Sequence, residues 1–177
     1  SDFNAAEQWL FDSLARALAW ELDKQLIDGS GAGEWLGLLR SPGRITQSKE
    51  GGQAANTVVG DNITNMLPRL APESHHSKST VWICHSSVLP QIYQLNITVG
   101  TAGGALPLWR WKAPGEEFNT LAGFPVVVSE HCKQLGDHGD LILADLSRYL
   151  VCFKAVKKQI SSHLLFTVDE SVFKIIF

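Results

Sequence analysis

Two short apolar runs near the middle of the chain, Val126 to Val128 and Leu141 to Ala144, constrain the fold more than any other feature. The first is β-branched and opened by Pro125; the second is bounded by Gly139-Asp140 and Asp145. Both read as short buried strands joined by a polar turn. Neither ends in a nucleophile, a ligand cluster or a phosphate loop, so the pair reads as scaffold. Gly123 is expected to set the entry into the first strand through an unusual backbone angle or close packing. Pro125 is expected to fix φ where no ladder hydrogen bond is needed.

Around this pair the chain divides into helices in front and strands behind. Leu10, Leu14, Leu18, Leu22 and Leu26 recur every four residues, with Trp9, Phe11 and Ala17 widening the stripe. The spacing predicts a long amphipathic helix from Asn4 to Ile27, with Leu10, Leu14, Leu18 and Leu22 turned inward on a sheet. Asp28-Gly-Ser-Gly-Ala-Gly33 is expected to stop it through a glycine in the left-handed conformation, and residues 41–56 read as an exposed loop or hairpin. A second helix is predicted over Thr57 to Leu70, bent by Pro68, then a strand over Ser79 to Cys84 and a short helix from Ser86 to about Leu95, capped by Ser86 or Ser87. Asn96 to Phe118 reads as a long irregular segment whose tryptophans look exposed, which is unusual unless something packs on it. Tyr149–Phe153, Val156–Ile160, Leu164–Val168 and Val172–Phe177 read as further strands, with a turn at Asp169-Glu170. The class is α+β, without an internal repeat.

At 177 residues and 45% hydrophobic, the chain can bury one sizeable core, divided at most into two lobes. A formal charge of -3 gives no global basic field, so phosphate-driven affinity for nucleic acid is not expected of the chain as a whole. No run of about 18 apolar residues exists to cross a membrane, and Ser1-Asp2-Phe3 lacks a basic, apolar leader, so a soluble cytoplasmic product is expected. Cys84, Cys132 and Cys152 are odd in number and far apart, which argues for free thiols. The absent initiator Met and the end at Phe177 inside an apolar run are read as a piece of a longer protein.

Several motifs invite chemistry and are better explained without it. Gly29-Ser-Gly-Ala-Gly33 follows a helix and is not followed by Gly-Lys-Ser or Gly-Lys-Thr, so it reads as a helix stop and not a nucleotide loop. His75-His76, Cys84-His85 and His131-Cys132 lack the spacing of a zinc site, and neighbours on a strand point to opposite faces. Cys132, His138 and Asp140 could form a thiol triad only with a positioned base and an oxyanion site. Glu116-Glu117 and Asp169-Glu170 read as solvated acids. Lys154, Lys157 and Lys158 read as lysines guarding a strand edge rather than a nucleic-acid contact.

Leu121-Ala-Gly-Phe-Pro-Val-Val-Val-Ser-Glu130 followed by Gly139-Asp-Leu-Ile-Leu-Ala-Asp-Leu-Ser-Arg-Tyr149 resembles the signature of the major capsid proteins of tailed phages, the Hong Kong 97 type. The stretch from Phe11 to Gly31 with Glu34-Trp-Leu-Gly-Leu-Leu39 is similar to that family's spine helix and following loop. Thr80 to Ile92 is similar to its central strand and helix, and Ser161 to Asp169 to its returning strands. The resemblance implies a peripheral lobe of residues 1–56 and 146–177 and an axial lobe of residues 57–145. It implies a structural subunit, not an enzyme, without cofactor or metal, that self-associates into pentamers and hexamers and an icosahedral shell. It further implies packaged DNA inside the shell without sequence-specific contact, a scaffold or protease during assembly, synthesis in a bacterial cytoplasm and residence in the virion. The same fold also builds prokaryotic nanocompartments that enclose a cargo enzyme; a small thiol- or metal-dependent hydrolase using Cys132 is the rival from another class. The family's N-terminal arm and extended loop are not matched, so this stretch alone is expected to remain a monomer or small oligomer. Leu106, Leu108, Trp109 and Trp111 are the expected subunit contacts.

Overall fold

The computed structural model describes residues 2–99, 104–152, 157–165 and 170–176. Its centre is a five-stranded mixed sheet built around β1 (Thr80–Cys84). On one side β1 pairs in parallel with β6 (Phe124–Val128), Trp82 facing Val126; on the other it pairs antiparallel with β7 (Leu141–Asp145), Trp82 facing Leu143. The two runs read as strands joined by a turn are therefore strands, but β1 lies between them and residues 129–140 cross over it. Their β-branched and aliphatic content suits either arrangement, and periodicity carries no information on which strand sits next to which. They are half-buried, with Val127 and Val128 exposed.

Beyond β6 lie β5 (Thr120–Leu121) and β4 (Trp109–Arg110), both antiparallel. β5 and β6 are joined by Ala122-Gly123, both at positive φ, +48° and +90°. Two positive φ values are what a tight hairpin needs to match the right-handed twist of its strands. Nothing lies within 4 Å of where a Gly123 Cβ would stand, so its glycine serves the backbone angle and not close packing. Pairing of β6 with β1 begins at Val126, one residue after Pro125, so the missing Pro125 N–H takes no β1 bond from the ladder.

Alternation along β1 separates two cores. Trp82 and Cys84 face Ile63, Val88, Ile92, Leu121 and Trp109, and the Trp82 Nε1–H donates to the Leu121 carbonyl at 3.0 Å. Ile83 faces Ile27 and Cys132 on the opposite side. The first core is roofed by α2 (Gly60–Met66), a 3-10 turn holding Pro68 (Leu67–Arg69), another 3-10 turn (Ser86–Val88) and α3 (Leu89–Ile92). The second predicted helix is thus shorter than its apolar pattern. Asn62 starts it, its Oδ1 accepting the Val59 N–H at 3.0 Å. The cap after β1 is His85, whose Nδ1 accepts the Ser87 N–H, and not Ser86 or Ser87. Asn96 to Phe118 is more regular than expected: β2 (Asn96–Val99) and β3 (Gly104–Pro107) pair as a ribbon before β4.

The front helix α1 (Asp2–Asp28) forms over the predicted span, but its leucine stripe is not turned inward. Leu10 and Leu14 are exposed, Leu18, Leu22 and Leu26 half-buried, and only Ile27 enters a core. A spacing of four residues drifts about 40° per step around a helix of 3.6 residues per turn, so five such leucines spread over about 160° and cannot share one narrow face. The C-terminal end is the anchored one. Asp28 receives Lys133 at 2.7 Å and Arg40 at 3.1 Å. Hydrogen bonding to Lys133 and Arg40 holds its carboxyl below the ordinary range despite partial burial. Gly29 closes the helix by close approach: a Cβ there would collide with the Trp35 carbonyl, while positive φ falls later, at Gly31 and Gly33.

Residues 41–56 form no strand. After β7 comes a 3-10 turn (Leu146–Arg148); residues 149–152 of the strand expected over Tyr149–Phe153 form none, Phe153 lying outside the described residues, and β8 (Lys157–Leu165) pairs antiparallel with β9 (Glu170–Ile176) as a separate ribbon. The described parts of the two predicted strands Val156–Ile160 and Leu164–Val168, residues 157–160 and 164–165, belong to one strand with a register shift between Ser161 and Leu165. Lys154 and the expected turn residue Asp169 lie outside the described residues. The architecture is mixed α+β.

Candidate functional site

The polar residues of the motif from Gly139 to Tyr149 serve the fold. Asp145 ends β7 with its Oδ1 accepting from the Ser147 N–H (3.1 Å), the Ser147 hydroxyl (2.7 Å) and the Ser77 hydroxyl (3.0 Å). Hydrogen bonds from Ser74, Ser147 and Ser77 hold this carboxyl at a pKa of about 2. Asp140 Oδ2 accepts the Gly136 N–H, and the Tyr149 hydroxyl donates to the Leu36 carbonyl at 2.8 Å, tying the end of the motif to the loop after α1. These side chains hold loops in place.

The residues with catalytic potential are also engaged. Burial pushes the Cys84 thiol up to about 12 and the Cys132 thiol up to about 11, with Asp140 adding to both. Both are protonated at neutral pH, the opposite of an activated nucleophile. His138, the base a triad would need, shares a hydrogen bond with the Thr46 hydroxyl (3.2 Å). His85 faces Glu130 at 3.3 Å, and His131 packs edge-on against Trp20 with ring centroids 4.2 Å apart. Among the described residues no three His, Cys, Asp or Glu side chains come together in a metal-holding group. Glu116 accepts from the Ala113 N–H and from Arg110, which keeps its carboxyl below the usual range.

What the surface offers instead is apolar area in two places. The first lies on β3, β4 and the turn after α3. Leu106 and Trp111 are 58% and 62% exposed, Leu108 is half-buried against the core, and Trp109 is 6% exposed within it. Tyr93 bridges the layers: its ring centroid lies 4.9 Å from those of both Trp109 and Trp111, and the two tryptophans meet edge-on at 5.5 Å. The four expected contact residues thus sit on one stretch but at different depths, Trp109 supporting the exposed rings from beneath. Sequence reasoning missed Tyr93; its place inside the helix expected from Ser86 to about Leu95, directly after the last residue of α3, gave no signal that it would meet Trp109 and Trp111. The second surface is the projecting part of α1, where Trp9 (66% exposed), Leu10, Leu14 and Trp20 (57%) face outward. Isolated exposed leucines are ordinary, but tryptophans and leucines grouped on a helix and again around an aromatic trio mark surfaces that other protein covers.

Among the described residues no helix is long and apolar enough to cross a membrane, so these surfaces are not those of a membrane-spanning helix. Neither curated proteins nor solved structures give a match. A family model described as the phage capsid family matches residues 1–177, the whole of the chain. That family is structural, in keeping with protonated thiols, hydrogen-bonded carboxylates and outward apolar area. The chain belongs to the phage capsid family.

Proposed function

We propose that this chain is a major capsid subunit of a tailed phage or prophage, which self-associates into pentamers and hexamers and into an icosahedral shell enclosing DNA. The Hong Kong 97-type division assigns residues 1–56 and 146–177 to a peripheral lobe and residues 57–145 to an axial lobe. Ring contacts run through Leu106, Leu108 and Trp111, with Trp109 as their support. The single observation that carries this reading, beyond family membership, is the grouped apolar exposure on α1 and around Trp111. Burying such area between neighbours drives association without directional chemistry, and many weak contacts multiplied by valence close a shell. A net charge of -3 suits DNA enclosed without sequence-specific contact. A scaffold or protease acts during assembly in the host bacterial cytoplasm, and the product resides in the virion.

Negative-stain microscopy of the protein expressed from its complete gene is the test. Closed shells are expected, with Leu106→Asp and Trp111→Asp together yielding folded but unassembled subunits. Folded monomers at every concentration would overturn the reading, as would shells indifferent to the double substitution for the ring contacts.

A further inference from the structure

Among the described residues the first core holds one polar side-chain atom without a hydrogen-bond partner. Trp109 is 6% exposed, and its Nε1 is buried with no oxygen or nitrogen to receive its proton. The other tryptophan of this core shows what the fold does with such a group when an oxygen is in reach: Trp82 Nε1–H donates to the Leu121 carbonyl at 3.0 Å. An indole nitrogen can only donate, so no neighbouring donor could relieve it. Native cores leave very few buried donors unmet, because an unmet one forfeits its hydration for nothing in return.

What surrounds Trp109 is aromatic. Its ring centroid lies 4.9 Å from that of Tyr93 and 5.5 Å from that of Trp111, and the planes of the two tryptophans stand at 85°. Rings at that angle and distance meet edge to face, and the attraction is greatest when a positive N–H edge is directed at a negative π face. Either tryptophan could supply the edge, and burial decides between them. Trp111 is 62% exposed, so water can serve its own N–H, whereas the Trp109 N–H is closed off from water and has the π face of Trp111 as a weak acceptor. Tyr93 steadies the same ring from another direction, with centroids 4.9 Å apart and planes at 40°. An exposed ring held at one angle gives up less conformational freedom on association than one that swings.

We propose that Trp109 is a positioning residue for the subunit contact: it donates its Nε1–H to the π face of Trp111 and so fixes the angle at which that exposed ring meets a neighbouring copy of the chain. The positioning role rests on the reading of Trp111 as a ring contact; the N–H to π contact does not.

The indole region of the proton–nitrogen NMR spectrum of the unassembled protein, which carries six tryptophans, tests the contact. A proton above a π face is shielded and one beside a ring edge is deshielded. One indole proton is therefore expected upfield of the rest, lost when Trp109 is replaced by 3-benzothienylalanine, which keeps the ring and puts sulfur in place of the N–H. It should return downfield in Trp111→Leu, at an exposed site that leaves the core intact. Slow exchange alone would follow from burial, so the shift is the deciding readout. In light scattering, the benzothienyl protein should need about threefold or more protein to assemble at an unchanged melting temperature. A Trp109 proton at an ordinary shift, or one that moves with Tyr93→Leu and not with Trp111→Leu, overturns the contact with Trp111. Assembly of the benzothienyl protein at the parent concentration overturns the positioning role. Assembly indifferent to Trp111→Leu, with the upfield proton present, is instead the failure of the ring-contact reading and takes the positioning role with it.

Discussion

At single residues the backbone angle and the buried carboxylate explain more than the apolar pattern does. Gly123 sits at φ +90° in a two-residue turn beside Ala122 at φ +48°. A side chain with a Cβ at such an angle costs about 1–2 kcal/mol, so Gly123→Val should lower stability by that amount, checked by urea unfolding. Unchanged stability would mean that the turn relaxes to another type. Asp145 carries a linkage consequence with a definite sign. Its carboxyl is depressed from the ordinary aspartate range to about 2, first by the Ser74 and Ser147 hydrogen bonds. A depressed carboxyl stabilises the fold fully above its unfolded pKa, and that contribution is lost as pH falls through about 4 toward 2. Asp145→Asn should therefore cost stability at pH 7 and progressively less below pH 4, seen as converging urea midpoints of the two proteins. A gap constant from pH 7 to pH 2 would remove the charge from this account.

At the level of elements, the long apolar runs were legible, whereas the short strands between Asn96 and Phe118 and the neighbourhood of the strands were not. The helix over Asp2–Asp28, the strands at Thr80–Cys84, Phe124–Val128 and Leu141–Asp145 and the helical turns on either side of β1 follow from apolar runs and breakers. That β1 separates β6 from β7 does not follow, because a strand's residues record which face is buried and not which strand lies alongside. The leucine repeat of α1 misleads for a related reason: a recurrence of exactly four looks like a stripe but winds around the helix. The apolar surface it marks is real, and what covers it is not in the chain's own sheet. The consequence is testable within one helix. Leu14→Asp, at an exposed site, should leave the melting temperature close to that of the parent, whereas Ile27→Ala, inside the second core, should cost about 2–5 kcal/mol. The reverse order would mean that the front of α1 packs against its own subunit. Among the expected contact residues, depth was the hidden variable: Trp109 and Trp111 are two residues apart in sequence and lie on opposite sides of the boundary between core and surface.

For the molecule as a whole, the question is what two apolar surfaces on one small subunit do. The aromatic trio stands at the ends of β4 and α3, close to the first core, and the apolar face around Trp9, Leu10 and Leu14 stands on a helix that meets the rest of the subunit through Trp20 on His131, Ile27 and Asp28. A single apolar patch would satisfy a dimer. Two patches on different elements allow one subunit to contact different neighbours, which rings and their packing into a shell both require. Trp109→Ala is a poor probe of this, because emptying a buried tryptophan site costs about 3–5 kcal/mol in folding before any contact is tested. Substitutions at exposed positions separate the two effects. Trp111→Ser should leave circular dichroism and melting temperature near those of the parent and abolish rings. Trp9→Ser with Leu14→Ser should also preserve the fold, yet leave rings that do not proceed to shells. Because apolar burial weakens on cooling, parent assemblies should also loosen near 4 °C and tighten in sulfate, a signature that ion-pair contacts would not share. Light scattering paired with microscopy distinguishes the outcomes. If both sets of substitutions stopped assembly at the same stage, the two surfaces would serve one interface, and the division of labour between trio and helix would be wrong.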